Sequence, residues 1–286
     1  MMYREEQQYK MNKIYFTLLL FCLISLHSIA QDSTRLKQNS PFVLGTTVEI
    51  YSSQLGEKRT LNIYFPEGYN PKDTVKYPVI YLLDGSAEED FIHIAGIVQF
   101  LNFPWVNILP KSIVVGIANV DRQRDFTFPT HIEKDKKAFP TTGGSERFIA
   151  FIEKELQPYI EKNYKTNSSK TIIGESLGGL LATEILFKKP KLFTNYIIVS
   201  PSLWWDNESL FSADSTFLKT KLNVQTSVYV AVGKEGGRMQ KDAKKLAHFL
   251  RKQRNKNVRV KFHYFINENH ATIMHQAVYK AFEYLK

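Results

Sequence analysis

Ser176, His270 and Glu235 have the types and the placing for nucleophilic chemistry. Ser176 stands at the centre of Gly174-Glu175-Ser176-Leu177-Gly178. The apolar run Thr171-Ile172-Ile173 precedes it, and the helix-like pattern Leu180, Leu181, Ile185, Leu186 follows. That is strand, sharp turn, helix. A serine at such an apex takes a strained backbone conformation, and only small neighbours fit, which accounts for Gly174 and Gly178. Its hydroxyl would stand clear of the sheet edge, with the first free amides of the new helix facing whatever it attacks. The bland alternative is a tight turn holding an ordinary serine. A serine hydroxyl attacks well only when a base takes its proton, and the base needs a third group to hold its tautomer.

In an open α/β sheet, sites lie beyond the carboxyl ends of the strands, so the partners of Ser176 should directly follow strands. His270 does so, in Asn267-Glu268-Asn269-His270 between the last expected strand and the last helix. His275 falls inside that helix, His263 inside a strand and His248 inside a helix, and all three read as packing or surface residues. Glu235 follows the strand expected over 227–232. Asp242 is its rival but falls within a helix. Asp206 follows an earlier strand, and Glu268 is too near His270 in sequence to reach its ring from across the site. Attack on a carbonyl makes an oxyanion that needs two N–H donors. Leu177 should supply one amide and Gly85 or Ser86 the other, with Gly85 letting the backbone approach the substrate. Asp84-Gly85 could equally be a plain turn. No two histidines show ligand spacing, so no metal is expected, and this chemistry calls for no cofactor.

The elements that must hold these groups follow from hydrophobic period. Alternation over 46–51 and 59–65 predicts two antiparallel strands. The run 77–83, nearly all apolar, predicts a strand buried on both faces and ending at Asp84-Gly85-Ser86. A helix over 88–102, a strand over 112–117 and a long loop over 118–144 come next; loops of that length tend to carry function. Ser145 is the expected cap of a helix to 163, with Phe148, Phe151, Ile152, Leu156, Tyr159 and Ile160 on one face. A strand over 196–199 leads into Ser200-Pro201-Ser202. Trp204-Trp205-Asp206 and a short lid-like segment over 208–218 follow. A basic helix over 241–254, a strand over 258–266 and a helix over 271–285 close the chain. Strictly alternating strands and helices predict one α/β domain, a doubly wound, mostly parallel sheet with helices on both faces.

The first thirty residues read differently. Lys10 and Lys13 flank Met11, an apolar run covers 14–26, and Ser28-Ile29-Ala30 precedes Gln31. This is the layout of a secretory signal peptide, with Met11 as a candidate true start and 31–44 as a polar lead-in to a domain over 45–286. The run is short for a membrane span. Cys22 is the single cysteine, so a chain cleaved after residue 30 has no disulfide and no thiolate site, as fits a bacterial periplasm or cell exterior. Phe21 and the continuing apolar run argue against lipidation of Cys22.

The net charge is +10; Arg4, Lys10 and Lys13 against Glu5 and Glu6 leave about +9 beyond residue 30. This favours an anionic small-molecule substrate, unless the lysines are simply solvated surface. Export and the lack of a motif exclude nucleic acid as a partner. Trp204 and Trp205 follow the strand beside the nucleophile, where flat rings could pack on aromatic acyl groups; core packing is the alternative. Nothing in the sequence sets the oligomeric state.

An ordered set of segments carries a family resemblance. It comprises 79–85, 114–119, 121–127, Gly143-Gly144, 174–179, 200–205, Gly233-Lys234-Glu235 and Asn269-His270. Together they resemble the putative-esterase family of the α/β hydrolases, which groups ferric-enterobactin and ferri-bacillibactin esterases, S-formylglutathione hydrolase, feruloyl and acetylxylan esterases and mycolyltransferases. Arg122-x-x-Asp125 and Ser200-Pro201-Ser202-Leu203-Trp204-Trp205 are more similar to the siderophore-esterase branch. The resemblance implies an α/β-hydrolase fold and an esterase with Ser176, His270 and Glu235 as its triad and Arg122 lining the pocket. Many relatives carry His where Glu175 stands, so a carboxylate is added beside the nucleophile. A carbohydrate esterase and a binding protein on a hydrolase scaffold are the competing readings.

Overall fold

The computed structural model describes residues 2–29, 40–212, 224–253 and 255–286. The expected cleavage point at Ala30-Gln31, the lead-in through 39 and the far end of the lid-like segment lie outside the described residues. The chain divides into two units, Met1–Val43 and Leu44–Lys286. In the first, Met2–Ile29 form one helix, α1. Among the described residues no helix is long and apolar enough to cross a membrane.

The second unit is built on eight strands: β1 Thr46–Ser52, β2 Glu57–Tyr64, β3 Tyr77–Leu82, β4 Ile113–Ile117, β5 Thr166–Glu175, β6 Asn195–Val199, β7 Thr226–Gly233 and β8 Val258–Phe265. They lie in the order β1-β2-β4-β3-β5-β6-β7-β8. β1 and β2 pair antiparallel, β2 pairs antiparallel with β4, and every pair from β4 onward is parallel. β5 thus sits mid-sheet between β3 and β6. Central strands must be apolar on both faces, and alternate residues divide accordingly. Val79, Tyr81, Tyr196 and Ile198 enter one core, while Ile80, Leu82, Ile197 and Val199 enter the other.

Helices α2 Phe91–Leu101 and α9 Ile273–Leu285 cover one face through Ile94, Val98, Ala277 and Ala281. The other is covered by α5 Ser145–Phe151, a π-helical turn Ile152–Leu156, α6 Gln157–Asn163, α7 Leu177–Lys188 and α8 Gly237–Lys252. The helix expected over 145–163 is therefore one rod with a π turn, and Phe148, Phe151, Ile152, Leu156 and Ile160 are buried in the core as expected. Its cap is not Ser145, which is the first helical residue; Gly144 takes the cap position because a Cβ there would meet Arg124 Cγ at 2.7 Å. The long loop contains two short helices, α3 Arg122–Phe126 and α4 Glu133–Ala138. Buried Arg59 pairs with Asp125 Oδ2 at 2.6 Å and with Glu57, fastening α3 to β2.

Candidate active site

Three adjacent strands end on a residue with left-handed backbone: Asp84 after β3 (φ 55°), Ser176 after β5 (φ 57°) and Ser200 after β6 (φ 41°). Such conformations cost of the order of 1–3 kcal/mol each in a non-glycine residue and persist only where surroundings impose them. At Ser176 they do. Its amide donates to Val199 O at 3.1 Å and its carbonyl accepts from Ser202 N at 2.9 Å. A Cβ on Gly174 would meet Gly178 O at 2.4 Å, and one on Gly179 would meet Val199 O at 2.9 Å. Gly178, expected to be small for space, has room at 3.4 Å for a Cβ; the tight positions are 174 and 179.

The structure brings His270 and Glu235 into contact. His270 Nδ1 lies 2.7 Å from Glu235 Oε2. The Glu235 side chain is 2% exposed and that of His270 47% exposed, so the acid is buried and the ring reaches solvent. Glu235 Oε1 accepts from Gly233 N at 2.8 Å and from the Ser200 hydroxyl. Burial pushes the Glu235 pKa up, but the bonds from His270, Ser200 and Gly233 outweigh it and hold it below the usual carboxylate value. The bond to Glu235 in turn holds His270 above the ordinary 6.5, against the opposing effect of burial. Ser176 Oγ lies 3.3 Å from Ser202 Oγ, which is its hydrogen-bond partner in place of His270. Serine–base contacts often tighten only when substrate binds. Ser200 and Ser202, which sequence reasoning passed over as mere strand-end residues, thus touch the acid and the serine.

Of the rival acids, Asp206 is engaged elsewhere, accepting from His131 N at 2.8 Å and Thr130 Oγ1 at 2.9 Å. Asp242 is buried with neither oxygen hydrogen-bonded among the described residues, and burial pushes its pKa up. Of the expected oxyanion donors, Leu177 opens α7, where a helix leaves its N–H groups unsatisfied. Gly85 is a correction. Its amide donates to Ile117 O at 3.0 Å, and its missing Cβ makes room for Gly116, whose Cα would lie 2.4 Å away. It serves strand packing rather than substrate approach. The Ser86 amide is held by the exposed Glu89 carboxylate at 3.1 Å, a partner that can leave.

Arg122 reaches the site, but its charge is shared: Nε and Nη2 grip Asp84 at 2.6 and 2.9 Å, and Nη2 also donates to Glu175 O at 3.3 Å. Arg124, on the same loop, is tied to Asp125 and Glu57 instead. Trp205 is a second correction, being 0% exposed with its indole N–H on Phe128 O at 2.9 Å; it is core. Trp204 is half-buried and open on one side.

Glu175, next to the serine in the chain, has a buried Oε1 with no hydrogen-bond partner among the described residues. Burial, above all, pushes its pKa up to about 8, with His270 pulling it down and Asp90, Glu235 and Asp84 pushing further up. The folded-state value exceeds the ordinary 4.5, so the folded protein holds a proton that the unfolded chain releases, and stability falls as pH rises between the two values. Glu175→Gln removes that slope. Thermal melts from pH 5 to 8 should show wild type losing on the order of 1–3 kcal/mol that the variant keeps. Parallel curves would show that the Glu175 carboxyl is already ionised at pH 5.

The fold, with its strained serine at the end of a central parallel strand, defines an α/β hydrolase. The chain belongs to the family described as "Putative esterase", whose model matches residues 52–281, and it is a hydrolase acting on ester bonds. It is 31% identical over 265 residues to the ferri-bacillibactin esterase BesA of Bacillus subtilis (strain 168), covering 86% of this chain and 91% of that protein. Among solved structures it is similar to the BES protein from Bacillus cereus, with a TM-score of 0.77 and 30% identity over 87% of this chain and 98% of the other. An IroE-like serine hydrolase from Shewanella oneidensis matches with a TM-score of 0.72 and 31% identity, covering 84% and 79%.

Proposed function

We propose that the chain is an exported serine esterase whose substrate is a siderophore of the ferric catecholate type. The observation that carries the catalytic part is the 2.7 Å His270–Glu235 bond at the same sheet edge as Ser176. Ser176 Oγ attacks the ester carbonyl while His270 Nε2 takes its proton. Glu235 holds Nδ1–H and so fixes the tautomer and stabilises the imidazolium. The Leu177 and Ser86 amides receive the oxyanion, Glu89 giving up its hold on Ser86. His270 returns the proton to the departing alcohol. Water, deprotonated by the same ring, then releases the acid and restores Ser176.

The substrate rests on three supports. The named relative acts on ferri-bacillibactin, residues 31–286 carry about +9, and half-buried Trp204 offers a flat aromatic surface two residues past Ser202, whose hydroxyl meets that of Ser176. Arg122 shapes the pocket through Asp84, so Arg122→Ala should reduce turnover of charged and neutral esters alike. Comparing kcat/KM on a ferric catecholate trilactone and an acetylated xylooligosaccharide tests the assignment. The trilactone should be preferred by at least about tenfold, a difference of one good charged contact. Preference for the sugar ester would make the protein a carbohydrate esterase. Export rests on the layout of residues 1–30; intact mass of protein from its host should begin near Gln31, and a retained N-terminus or a lipid on Cys22 overturns it.

A further inference from the structure

The turn Ser200-Pro201-Ser202 lies between the two halves of the proposed triad. It follows β6, which runs between β5, leading into Ser176, and β7, leading into Glu235. Main-chain bonds stitch the turn to both sides. Ser200 N donates to Ala231 O of β7 at 2.8 Å, and Ser202 N donates to Ser176 O at 2.9 Å. Between them the Pro201 ring fixes its own φ and stiffens the turn.

The turn alone does not call for a serine at 200. Its φ is 41°, a left-handed value that glycine takes freely and that strains any residue with a Cβ. Ser200 is also fully buried, where a hydroxyl needs a partner. A glycine would avoid both demands. What the side chain adds is one contact, a hydrogen bond from its hydroxyl to Glu235 Oε1.

That contact bears on the base. A glutamate carboxyl turns easily about its last bond, so one held loosely would face its partner over a wide range of angles. Here Gly233 N donates to the same Oε1 at 2.8 Å, and a Cβ on Gly233 would crowd that oxygen at 3.1 Å. Two donors on Oε1 leave Oε2 to face His270 Nδ1, at 2.7 Å. The loop of the acid is pinned to the loop of the base as well, Lys234 N donating to Glu268 O at 2.6 Å.

We propose that Ser200 is a positioning residue of the reaction: its hydroxyl, set by the same turn that holds the Ser176 backbone, aims the Glu235 carboxylate at His270. It acts through Glu235. Its effect on turnover rests on the serine-esterase reading, but the aim of the carboxylate can be read on His270 without substrate. Ser200→Gly is the deciding variant, because it removes the hydroxyl while easing the backbone. A serine that only shaped the turn would be replaced by glycine at no loss. The positioning role expects protein that melts no lower than wild type, with kcat on p-nitrophenyl acetate reduced about ten- to a hundredfold and KM nearly unchanged, as loss of one hydrogen bond to a charged group gives. Ser200→Ala should lose as much. In a Glu235→Gln background the same glycine should cost less than about threefold, since the two losses share one route. The His270 Nδ1 proton, assigned by its absence in His270→Gln, should have a far-downfield NMR resonance in wild type. In Ser200→Gly it should move upfield and exchange faster with water. Wild-type kcat in Ser200→Gly, an unmoved Nδ1 proton, or an equal loss with and without the Glu235 carboxylate overturns the proposal. Protein that hydrolyses no ester but shows the Nδ1 change keeps the positioning and removes the esterase reading; hydrolysis with an unmoved Nδ1 proton does the reverse.

Discussion

On the proposed mechanism, Ser176→Ala should lower kcat/KM on every ester substrate by about three to six orders of magnitude, with the melting temperature nearly unchanged. The size follows from the chemistry. Without Oγ no acyl-enzyme forms, and the His270–Glu235 pair is left only the weak alternative of activating water directly. The small stability effect follows from geometry: among the described residues the Ser176 hydroxyl has a single partner, Ser202 at 3.3 Å, and the strained backbone is held by main-chain bonds that alanine keeps. Wild-type-like turnover in the variant would end the serine mechanism.

With Glu235 as the proposed acid, Glu235→Gln should lower kcat by about two to four orders of magnitude, while Asp242→Asn should change it by less than about threefold. Glu235 holds Nδ1 of His270 at 2.7 Å and is itself fixed by Gly233 and Ser200. Among the described residues neither Asp242 oxygen makes a hydrogen bond, and its ion-pair contact is with Arg238 Nε at 3.9 Å, not with His270. The pH profile separates the two further. As the proposed base His270 must be neutral, and its pKa is raised above 6.5 by the bond to Glu235, so the acid limb of kcat/KM should have its midpoint above 6.5 in wild type. Removing the carboxylate removes what raises it, and the midpoint in Glu235→Gln should move down. In Asp242→Asn it should stay. A larger loss in Asp242→Asn would move the acid to that residue, and no loss in either would leave a Ser–His pair working alone.

The elements around this site were legible because period and position are local signals. Runs such as 77–83 and 196–199 are nearly all apolar, and the structure buries both faces of those strands. The meeting of His270 with Glu235 followed from a topological rule, since both residues come directly after strands at one edge. What was not legible depends on who touches whom. Trp205 and Trp204 are neighbours of one type, yet one is core and the other borders a cavity, because the chain turns left-handed at Asp206. Gly85 looked like a residue placed for substrate; its partner across the sheet, Gly116, lies 31 positions on and no local pattern ties them. The buried Arg59 did leave a trace. It is in phase with Leu61 and Ile63, on the inward face of β2, so its alternation alone placed a charge in the core and demanded a partner.

The most direct test of the account is covalent. The full chain is treated with a fluorophosphonate, its intact mass is measured, and the adduct is mapped by peptide sequencing. One adduct should form, on Ser176, with loss of esterase activity in step with labelling and no adduct in Ser176→Ala. Protein that hydrolyses esters while Ser176 remains unlabelled, or whose activity survives full labelling, would contradict it.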